Sequence, residues 1–283
     1  MSATILEGPA VAEAISEDVL SRVTTLAAQG ITPCLGILRV GERPDDLSYE
    51  RGACRRAEVT GIAVRRFVFD EGVTTEELVE AVEAINGDDS VHGLLILRPL
   101  PAHIDEERVC NALVAYKDVD ACGERSLGTL FTGADGTFAP CTAQACIEIL
   151  DHYGIEIAGR RVLVIGRSLV IGTPVAMLLL ERNATVTIAH SRTADLEELA
   201  READIIVACA GRALMIGANH VAPGQTLIDV GINVVDDGKI VGDIAFDEVV
   251  DVVDAVTPVP RGVGSVTTGV LCKHVVQAAE MMI

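Results

Sequence analysis

The sequence predicts an α/β fold divided into two domains. Segments with the alternation or apolar density of strands take turns with segments of helical periodicity, which is typical of a parallel sheet covered by helices. A length of 283 residues fits two domains better than one. In the second half, a strand, a glycine turn and a helix follow one another, and Gly166 and Gly172 bracket the turn.

In the first half, a helix over 8–29 is indicated by Val11, Ile15 and Val19 at helical spacing and by Gly30 at its end. The strands predicted after it are 33–40, 62–69 and 91–97, and the helices are 47–60, 74–86 and 104–113. Residues 123–139 are rich in glycine and weakly patterned, so they are predicted to form a long functional loop that crosses between domains.

The second half predicts a Rossmann-like unit. Its strands are 162–165, 185–189, 204–208, 226–230 and 239–241, and its helices are 145–153, 173–182 and 194–202. A last helix, over 267–281, follows residues 257–264. Backbone amides at the glycine turn and the N-terminus of the next helix can hold a phosphate, which makes Gly166, Arg167, Ser168 and Gly172 candidate nucleotide-binding residues. The spacing Gly-x5-Gly differs from G-x-G-x-x-G, so an ordinary strand–helix turn is the alternative.

The stretch after strand 185–189 favours NADP over NAD. His190, Ser191 and Arg192 stand where an NAD enzyme usually has an acidic residue for the ribose hydroxyl. Arg192, with Arg167 as a second cation, suits the 2′-phosphate of NADP. The alternative is that Arg192 is a solvated loop charge.

Charge and cysteine usage exclude several classes. A net charge of −20 argues against nucleic acid or an anionic membrane as partner, and any anionic ligand must meet a locally basic pocket. The eight cysteines are scattered without zinc-site spacing, which predicts reduced thiols and no metal site. No signal-peptide pattern or membrane-length apolar run occurs, so a soluble cytoplasmic protein is expected.

Three further features of the chain could contact a ligand. Tyr49 could stack on a planar ring, although a packing role is an equal alternative. Asp120, with Asp118 beside it, could accept two parallel hydrogen bonds from a guanidine-like ring edge, although a solvated acidic loop is the simpler explanation. Residues 258–264 could form a cleft wall that contacts ligand through its backbone, or a plain linker.

Several short motifs occur in order along the chain. They are Ser48–Tyr49, Pro99–Pro101, Lys117–Asp120, Pro140–Thr142, Val164–Ser168, Asp229–Asn233, Val241–Asp243, Thr257–Pro260 and Gly262–Gly264. Together they resemble the methylenetetrahydrofolate dehydrogenase/cyclohydrolase (FolD) family over essentially the whole chain. The resemblance implies oxidation of 5,10-methylenetetrahydrofolate with NADP, often followed by hydrolysis to 10-formyltetrahydrofolate.

The resemblance also implies an architecture and a set of roles. Residues 1–140 with 266–283 are expected to form a folate-binding catalytic domain, residues 141–265 a Rossmann domain, with a cleft between them and a homodimeric assembly. Tyr49 and Asp120 are the expected catalytic residues, Tyr49 stacking on the folate and Asp120 holding the pterin edge. The expected substrate contacts are Tyr49, Leu97, Asp120, Pro260, Gly262 and Val263. The expected cofactor contacts are Gly166, Arg167, Ser168, Gly172, His190, Ser191, Arg192, Ile232 and Gly264.

The chain departs from the family pattern at one catalytic pair. The family has a catalytic Lys four residues after the Tyr, where this chain has Ala53, and a Gln that hydrogen-bonds this Lys, where this chain has Leu97. Loss of the Lys and the Gln together indicates that their shared catalytic function is no longer selected. Either residue alone would be a buried polar group without its hydrogen-bond partner. Arg261 replaces a family glycine, and Ser265 and Val266 replace Pro-Met.

Three hypotheses follow. The first is an NADP-dependent dehydrogenase with weak or lost cyclohydrolase activity. The second is a fully bifunctional enzyme in which Arg56, on the helical face of Tyr49, or Arg98, beside Leu97, supports hydrolysis; arginine stays protonated near neutral pH, which disfavours this. The third is a catalytically retired paralogue that binds folate or nucleotide.

Overall fold

The computed structural model describes residues 2–134, 136–235 and 238–283. Its helices and strands are, in chain order, β1 (Thr4–Ile5), α1 (Gly8–Ala27), β2 (Cys34–Val40), α2 (Pro44–Thr60), β3 (Ala63–Phe69), α3 (Thr75–Asn86), β4 (Gly93–Ile96), α4 (Glu106–Ala112), α5 (Glu124–Thr132), α6 (Cys141–His152), β5 (Arg161–Ile165), α7 (Gly172–Glu181), β6 (Thr185–Ala189), α8 (Leu196–Glu202), β7 (Ile205–Ala208), β8 (Thr226–Asp229), β9 (Asn233–Val234), β10 (Ile240–Val241), α9 (Phe246–Val249), β11 (Ala255–Val256) and α10 (Thr267–Met281). They fall into two compact units, and the predicted two-part α/β fold is confirmed.

The N-terminal unit consists of Glu13–Cys141 with Thr268–Ile283. Its parallel sheet has the order β3-β2-β4. All seven residues of the central strand β2 are buried, whereas every residue of β3 is half-buried or exposed, as in an edge strand. Leu38 pairs with Ile96, and the next residue, Leu97, donates its backbone N–H to the carbonyl of Leu38 at 2.9 Å. Leu97 therefore leaves the sheet at its carboxyl edge, where ligand-binding residues of α/β folds gather.

The C-terminal unit consists of Met1–Ala12 with Thr142–Thr267. Its sheet has the order β1-β11-β8-β7-β5-β6, and every pairing is parallel. From β5 the chain crosses first to β6 on one side and then to β7 on the other. Strand order therefore reverses beside β5, and the carboxyl end of β5 is the expected ligand position.

The first residues of the chain join the C-terminal unit, whereas the predicted boundaries place them in the N-terminal domain. The reason is β1, which pairs in parallel with β11 through Thr4 opposite Ala255 and Ile5 opposite Val256. Strands of two residues are too short to show a period in the sequence, so neither was predicted.

Residues 123–139 were predicted as a loop, and this is wrong for more than half of the stretch. Helix α5 spans Glu124–Thr132 and ends at Gly133, whose left-handed φ of 61° is typical of a helix C-cap. The backbone N–H of Glu124 is accepted by the side chain of Asn111 at 2.9 Å, which anchors the start of the helix. Glycine at positions 128 and 133 hid the helical pattern.

All eight cysteines are free thiols, and five of them are buried. Their scatter through both units agrees with the expectation of reduced thiols. Within the described ranges, no helix combines the length and the apolar character needed to cross a bilayer.

Candidate active site

The glycine turn after β5 is built so that only glycine fits at its two ends. Gly166 has a φ of +136°, and a Cβ there would lie 2.4 Å from the carbonyl oxygen of Cys209. A Cβ at Gly172 would lie 2.3 Å from the carbonyl oxygen of Gly166. Ser168 closes the turn, because its Oγ accepts the N–H of Ile171 at 3.2 Å. The turn is thus drawn tightly onto the N-terminus of α7, where backbone N–H groups can meet a phosphate.

The loop after β6 presents Arg192 near its start, and its first acidic residue is Asp195. The Thr193 hydroxyl accepts the N–H of His190 at 2.9 Å, and His190 Nδ1 accepts the N–H of Arg192 at 3.2 Å. These bonds fix the loop and leave Ser191 and Arg192 exposed. Arg167 is exposed as well, and in the part of the chain that the structure describes neither guanidinium forms an ion pair. Such a loop suits an anionic ligand.

A cavity of about 230 Å³ lies in the same unit and brings together five residues expected at the site. Those five are Ile232, Pro260, Gly262, Val263 and Gly264. Asp229 and Arg261 line it as well, and most of its remaining wall is apolar or glycine. A mainly apolar hollow with few polar groups is the usual form of a small-molecule site.

Two buried carboxylates brace the wall of this cavity. Asp229 accepts backbone N–H groups from Gly231 and Asp243 on Oδ1 and from Ile244 on Oδ2, at 2.9 to 3.0 Å. Asp243 in turn accepts the N–H groups of Ala210, Gly211 and Arg212 and the side chain of Asn233, at 2.6 to 3.0 Å. Burial raises the pKa of Asp229 to about 6, against the opposing effect of its hydrogen bonds.

The sequence analysis gave no role to Asp229 or Asp243, although they belong to the motifs Asp229–Asn233 and Val241–Asp243. The signal available was an Asp next to glycines. A Cβ at Gly242 would lie 1.8 Å from Asp229 Oδ2, so the glycine is there to admit the carboxylate.

In the N-terminal unit, Asp120 follows a short 3-10 turn at Ala115–Lys117 and is half-buried. Its Oδ1 accepts the N–H of Cys141, the first residue of α6, at 2.8 Å. Burial raises its pKa, and this hydrogen bond and the charge of Arg98 oppose the rise. One carboxylate offers about four acceptor positions, so Asp120 keeps capacity for a ligand.

The neighbours of Asp120 in sequence have structural tasks. Asp118 is buried and accepts the N–H groups of Cys122 and Gly123 at 2.9 and 3.0 Å. The Lys117 ammonium is buried and donates to the carbonyls of Ile85 and Asp88 at 2.9 and 2.8 Å. Burial lowers the pKa of Lys117.

Comparison with known proteins decides the family. The catalytic domain of the tetrahydrofolate dehydrogenase/cyclohydrolase family matches residues 6–120, and its NAD(P)-binding domain matches residues 140–283. The chain belongs to this family. The bifunctional protein FolD of Carboxydothermus hydrogenoformans is 48% identical over 279 residues, which are 98% of this chain and 97% of that protein.

Solved FolD structures agree with the assignment. The bifunctional FolD of Campylobacter jejuni has a TM-score of 0.97 at 35% identity and covers 100% of both chains. The Trypanosoma brucei FolD, complexed with NADP cofactor and inhibitor, has a TM-score of 0.93 at 33% identity and covers 100% of this chain and 99% of that one.

Ala53 and Leu97, which replace the family's catalytic Lys and Gln, are both apolar and buried. Tyr49 lies half-buried on α2, and Ala53, one turn later, is 0% exposed. Leu97, the residue directly after β4, is 6% exposed. Neither side chain has an atom that could take or give a proton.

The two arginines near this pair differ in their surroundings. Arg56 donates to the hydroxyl of Ser16 at 2.9 Å. Arg98 is half-buried, and burial by itself would lower its pKa. The net effect is nevertheless a raised pKa, because the charge interactions with its neighbours are stronger than the effect of burial. Those neighbours are Cys122, Asp120, Cys110 and Glu106. Of the two, Arg98 is the one whose charge acts on Asp120.

Proposed function

We propose that this chain oxidises 5,10-methylenetetrahydrofolate to 5,10-methenyltetrahydrofolate with NADP, and that its cyclohydrolase step is weak or lost. The observation that carries the proposal is that Tyr49, Asp120 and the glycine turn are kept, whereas the apolar residues Ala53 and Leu97 stand where the family has a lysine and the glutamine that hydrogen-bonds it. Hydride transfer depends chiefly on holding two rings close and correctly oriented, which needs no acid or base at these positions.

The C-terminal unit fits NADP. Gly166 and Gly172 draw the turn onto the start of α7, which suits the pyrophosphate, and the exposed guanidinium groups of Arg167 and Arg192 suit the 2′-phosphate. The NADP complex of the Trypanosoma brucei relative supports the same choice. NADP supplies the hydride acceptor when bound; the role of His190, Ser191, Ile232 and Gly264 is to bind and orient it.

Weak or lost hydrolysis follows from the replacement of the family's catalytic lysine by Ala53. Attack of water on the methenyl carbon requires removal of a proton, for which a general base with a suitable pKa is needed. Ala53 and Leu97 cannot serve, Lys117 donates to two backbone carbonyls, and a guanidinium is too basic a group to act as a general base near neutral pH.

The bifunctional alternative has one observation in its favour besides the names of the relatives. The charge of Arg98 acts on Asp120, and such a cation could stabilise negative charge that develops during hydrolysis. The retired-paralogue alternative is disfavoured, because decay is not expected to spare both ligand-binding sets while removing one pair.

The double variant Ala53→Lys/Leu97→Gln tests the proposal. We expect it to hydrolyse methenyltetrahydrofolate about a hundredfold faster than the wild type, the usual scale of general acid–base catalysis. Each single variant gains little, because it buries one polar group without its partner. A wild type that already hydrolyses the compound well above buffer alone, and loses this with Arg98→Leu, supports the bifunctional alternative instead.

We also infer a homodimer, as the family resemblance implies. β6 is an edge strand of the six-stranded sheet, and an open sheet edge is a natural place for a second copy. Leu180, near the end of α7, is exposed. Light scattering on the purified chain should give the mass of two chains, and the mass of one would contradict the inference.

A cytoplasmic location is the third part of the proposal. Eight free thiols suit a reducing compartment. Cell fractionation should find the protein with cytoplasmic markers, and recovery from an oxidising compartment would contradict this.

A further inference from the structure

Arg261 holds a backbone conformation that L-residues rarely adopt. Its φ is +79°, in the left-handed region. Such a conformation costs a bulky side chain about 1 kcal/mol and persists only where the surroundings impose it. The carbonyl of Arg261 accepts the N–H of Gly8 at 2.8 Å, which helps to fix this conformation. A glycine would adopt the same backbone conformation without strain. The presence of an arginine side chain at this position therefore requires an explanation.

Stability does not supply that explanation. Arg261 Nη2 lies 3.2 Å from Glu7 Oε2, and the two side chains are 65% and 50% exposed. Ion pairs as exposed as this contribute little to stability, because water and salt screen them. The strain at Arg261 is therefore not offset by its contact with Glu7.

The place of Arg261 points to a ligand instead. It is the cation among the described residues that line the 230 Å³ cavity, beside Pro260, Gly262 and Val263. Among the described residues of the lining, the carboxylate is that of Asp229, and it accepts three backbone N–H groups. The chain carries 42 acidic against 22 basic side chains, so an anion approaching it meets repulsion everywhere except near such a local cation.

We propose that Arg261 determines substrate specificity by binding a carboxylate of the folate's glutamyl tail, exchanging the Glu7 carboxylate for the substrate's. The inference rests on the proposed function and names a recognition element for its substrate. A guanidinium binds a carboxylate through two parallel hydrogen bonds, and Glu7 shows that this one can reach a carboxylate oxygen. The phosphates of NADP have their own cations in Arg167 and Arg192.

The test compares Arg261→Gln with Arg160→Gln in steady-state kinetics. Arg160 is a matched control, because it lies in the same unit, is 46% exposed and pairs with Glu156 at 2.7 Å, away from the cavity lining. We expect Arg261→Gln to raise the KM for methylenetetrahydrofolate pentaglutamate about fivefold, the scale of one exposed charge-assisted contact, with unchanged kcat and KM for NADP. Arg160→Gln should leave all three unchanged.

Two further variants separate lost charge from altered folding. Arg261→Gly relieves the backbone and should raise the same KM while raising Tm. Glu7→Gln frees the guanidinium and should lower the KM about twofold, since the competing carboxylate is removed. If the KM for methylenetetrahydrofolate pentaglutamate is unchanged in both Arg261 variants, the inference is overturned. If the KM for NADP is raised and that for the folate is not, Arg261 binds a cofactor phosphate, and the inference is overturned as well.

Failure of the proposed function would be visible separately. If the wild type does not oxidise methylenetetrahydrofolate, calorimetry with tetrahydrofolate pentaglutamate replaces the kinetics. Weaker binding to Arg261→Gln than to the wild type then sustains the role of Arg261, and equal binding overturns it.

Discussion

Asp229 makes the stability of the protein depend on pH in a direction opposite to that of most carboxylates. Its pKa is raised by burial from 3.8 to about 6. The folded state therefore holds the proton more tightly than the unfolded state does. The stability this group contributes is fully present below the unfolded pKa and is lost as pH rises through about 6.

The variant Asp229→Asn, which cannot titrate there, isolates this effect. Going from about pH 5 to about pH 8, we expect the free energy of unfolding of the wild type to fall by about 1 kcal/mol relative to the variant. Urea unfolding across that range measures the difference. Asp229→Asn will be less stable than the wild type at every pH, because the side-chain amide cannot accept all three N–H groups. If the free energies of unfolding of the wild type and the variant change in parallel with pH, the raised pKa of Asp229 is contradicted.

His274 holds the residue before Asp120. Its Nδ1 lies 2.9 Å from the carbonyl of Val119, its ring stacks on Phe138 at 4.9 Å, and the Cys141 thiol donates to the same carbonyl at 3.3 Å. Because Cys141 also donates its N–H to Asp120, these contacts fix the carboxylate from two directions. His274 is thus a positioning residue for Asp120.

Removing that support should weaken substrate binding. We expect His274→Leu to raise the KM for methylenetetrahydrofolate about tenfold, the scale of one buried hydrogen bond, with the KM for NADP unchanged. His274→Asn keeps a donor and should recover part of the loss. Equal effects of the two variants on both KM values would indicate a general loss of structure instead.

Among the elements, the turn between β5 and α7 is the least tolerant of change. We expect Gly172→Ala to weaken NADP binding at least about tenfold, because its Cβ would lie 2.3 Å from backbone that cannot move without opening the turn. Gly128→Ala is the control: it lies within α5 with nothing inside 4 Å of the added Cβ and should raise stability by about 0.5 to 1 kcal/mol. Calorimetric titration with NADP measures the affinity of each variant for the cofactor, and thermal unfolding measures its stability. NADP binding by Gly172→Ala as tight as that of the wild type would contradict the proposed role of this glycine in the turn.

Elements with a long or dense apolar pattern could be predicted from the sequence. Helix α10 has the predicted bounds, 267–281, and β5 begins one residue before the predicted start. The two-residue strands β1 and β11 could not be predicted, because they pair residues that are 251 positions apart in sequence. Helix α5 was missed because its glycines resemble those of a loop.

At the scale of the whole molecule, the sequence indicated which candidate site residues of the C-terminal unit lie together better than it indicated what supports them. Ile232, Pro260, Gly262, Val263 and Gly264 do line one cavity. The brace of Asp229 and Asp243 and the burial of Lys117 could not be predicted, because they depend on which backbone N–H and C=O groups lack a partner in the fold. A sequence motif gives the position of a residue along the chain. Only the structure shows which backbone groups that residue hydrogen-bonds.

The central claim is that the chain keeps hydride transfer and has lost hydrolysis. Its most direct test follows NADPH and methenyltetrahydrofolate separately, by chromatography, while the wild-type enzyme oxidises methylenetetrahydrofolate. The account predicts that both products accumulate together, and that methenyltetrahydrofolate disappears no faster than in buffer alone. NADPH without methenyltetrahydrofolate, accompanied by 10-formyltetrahydrofolate, would show that hydrolysis persists and would contradict the significance given to Ala53 and Leu97.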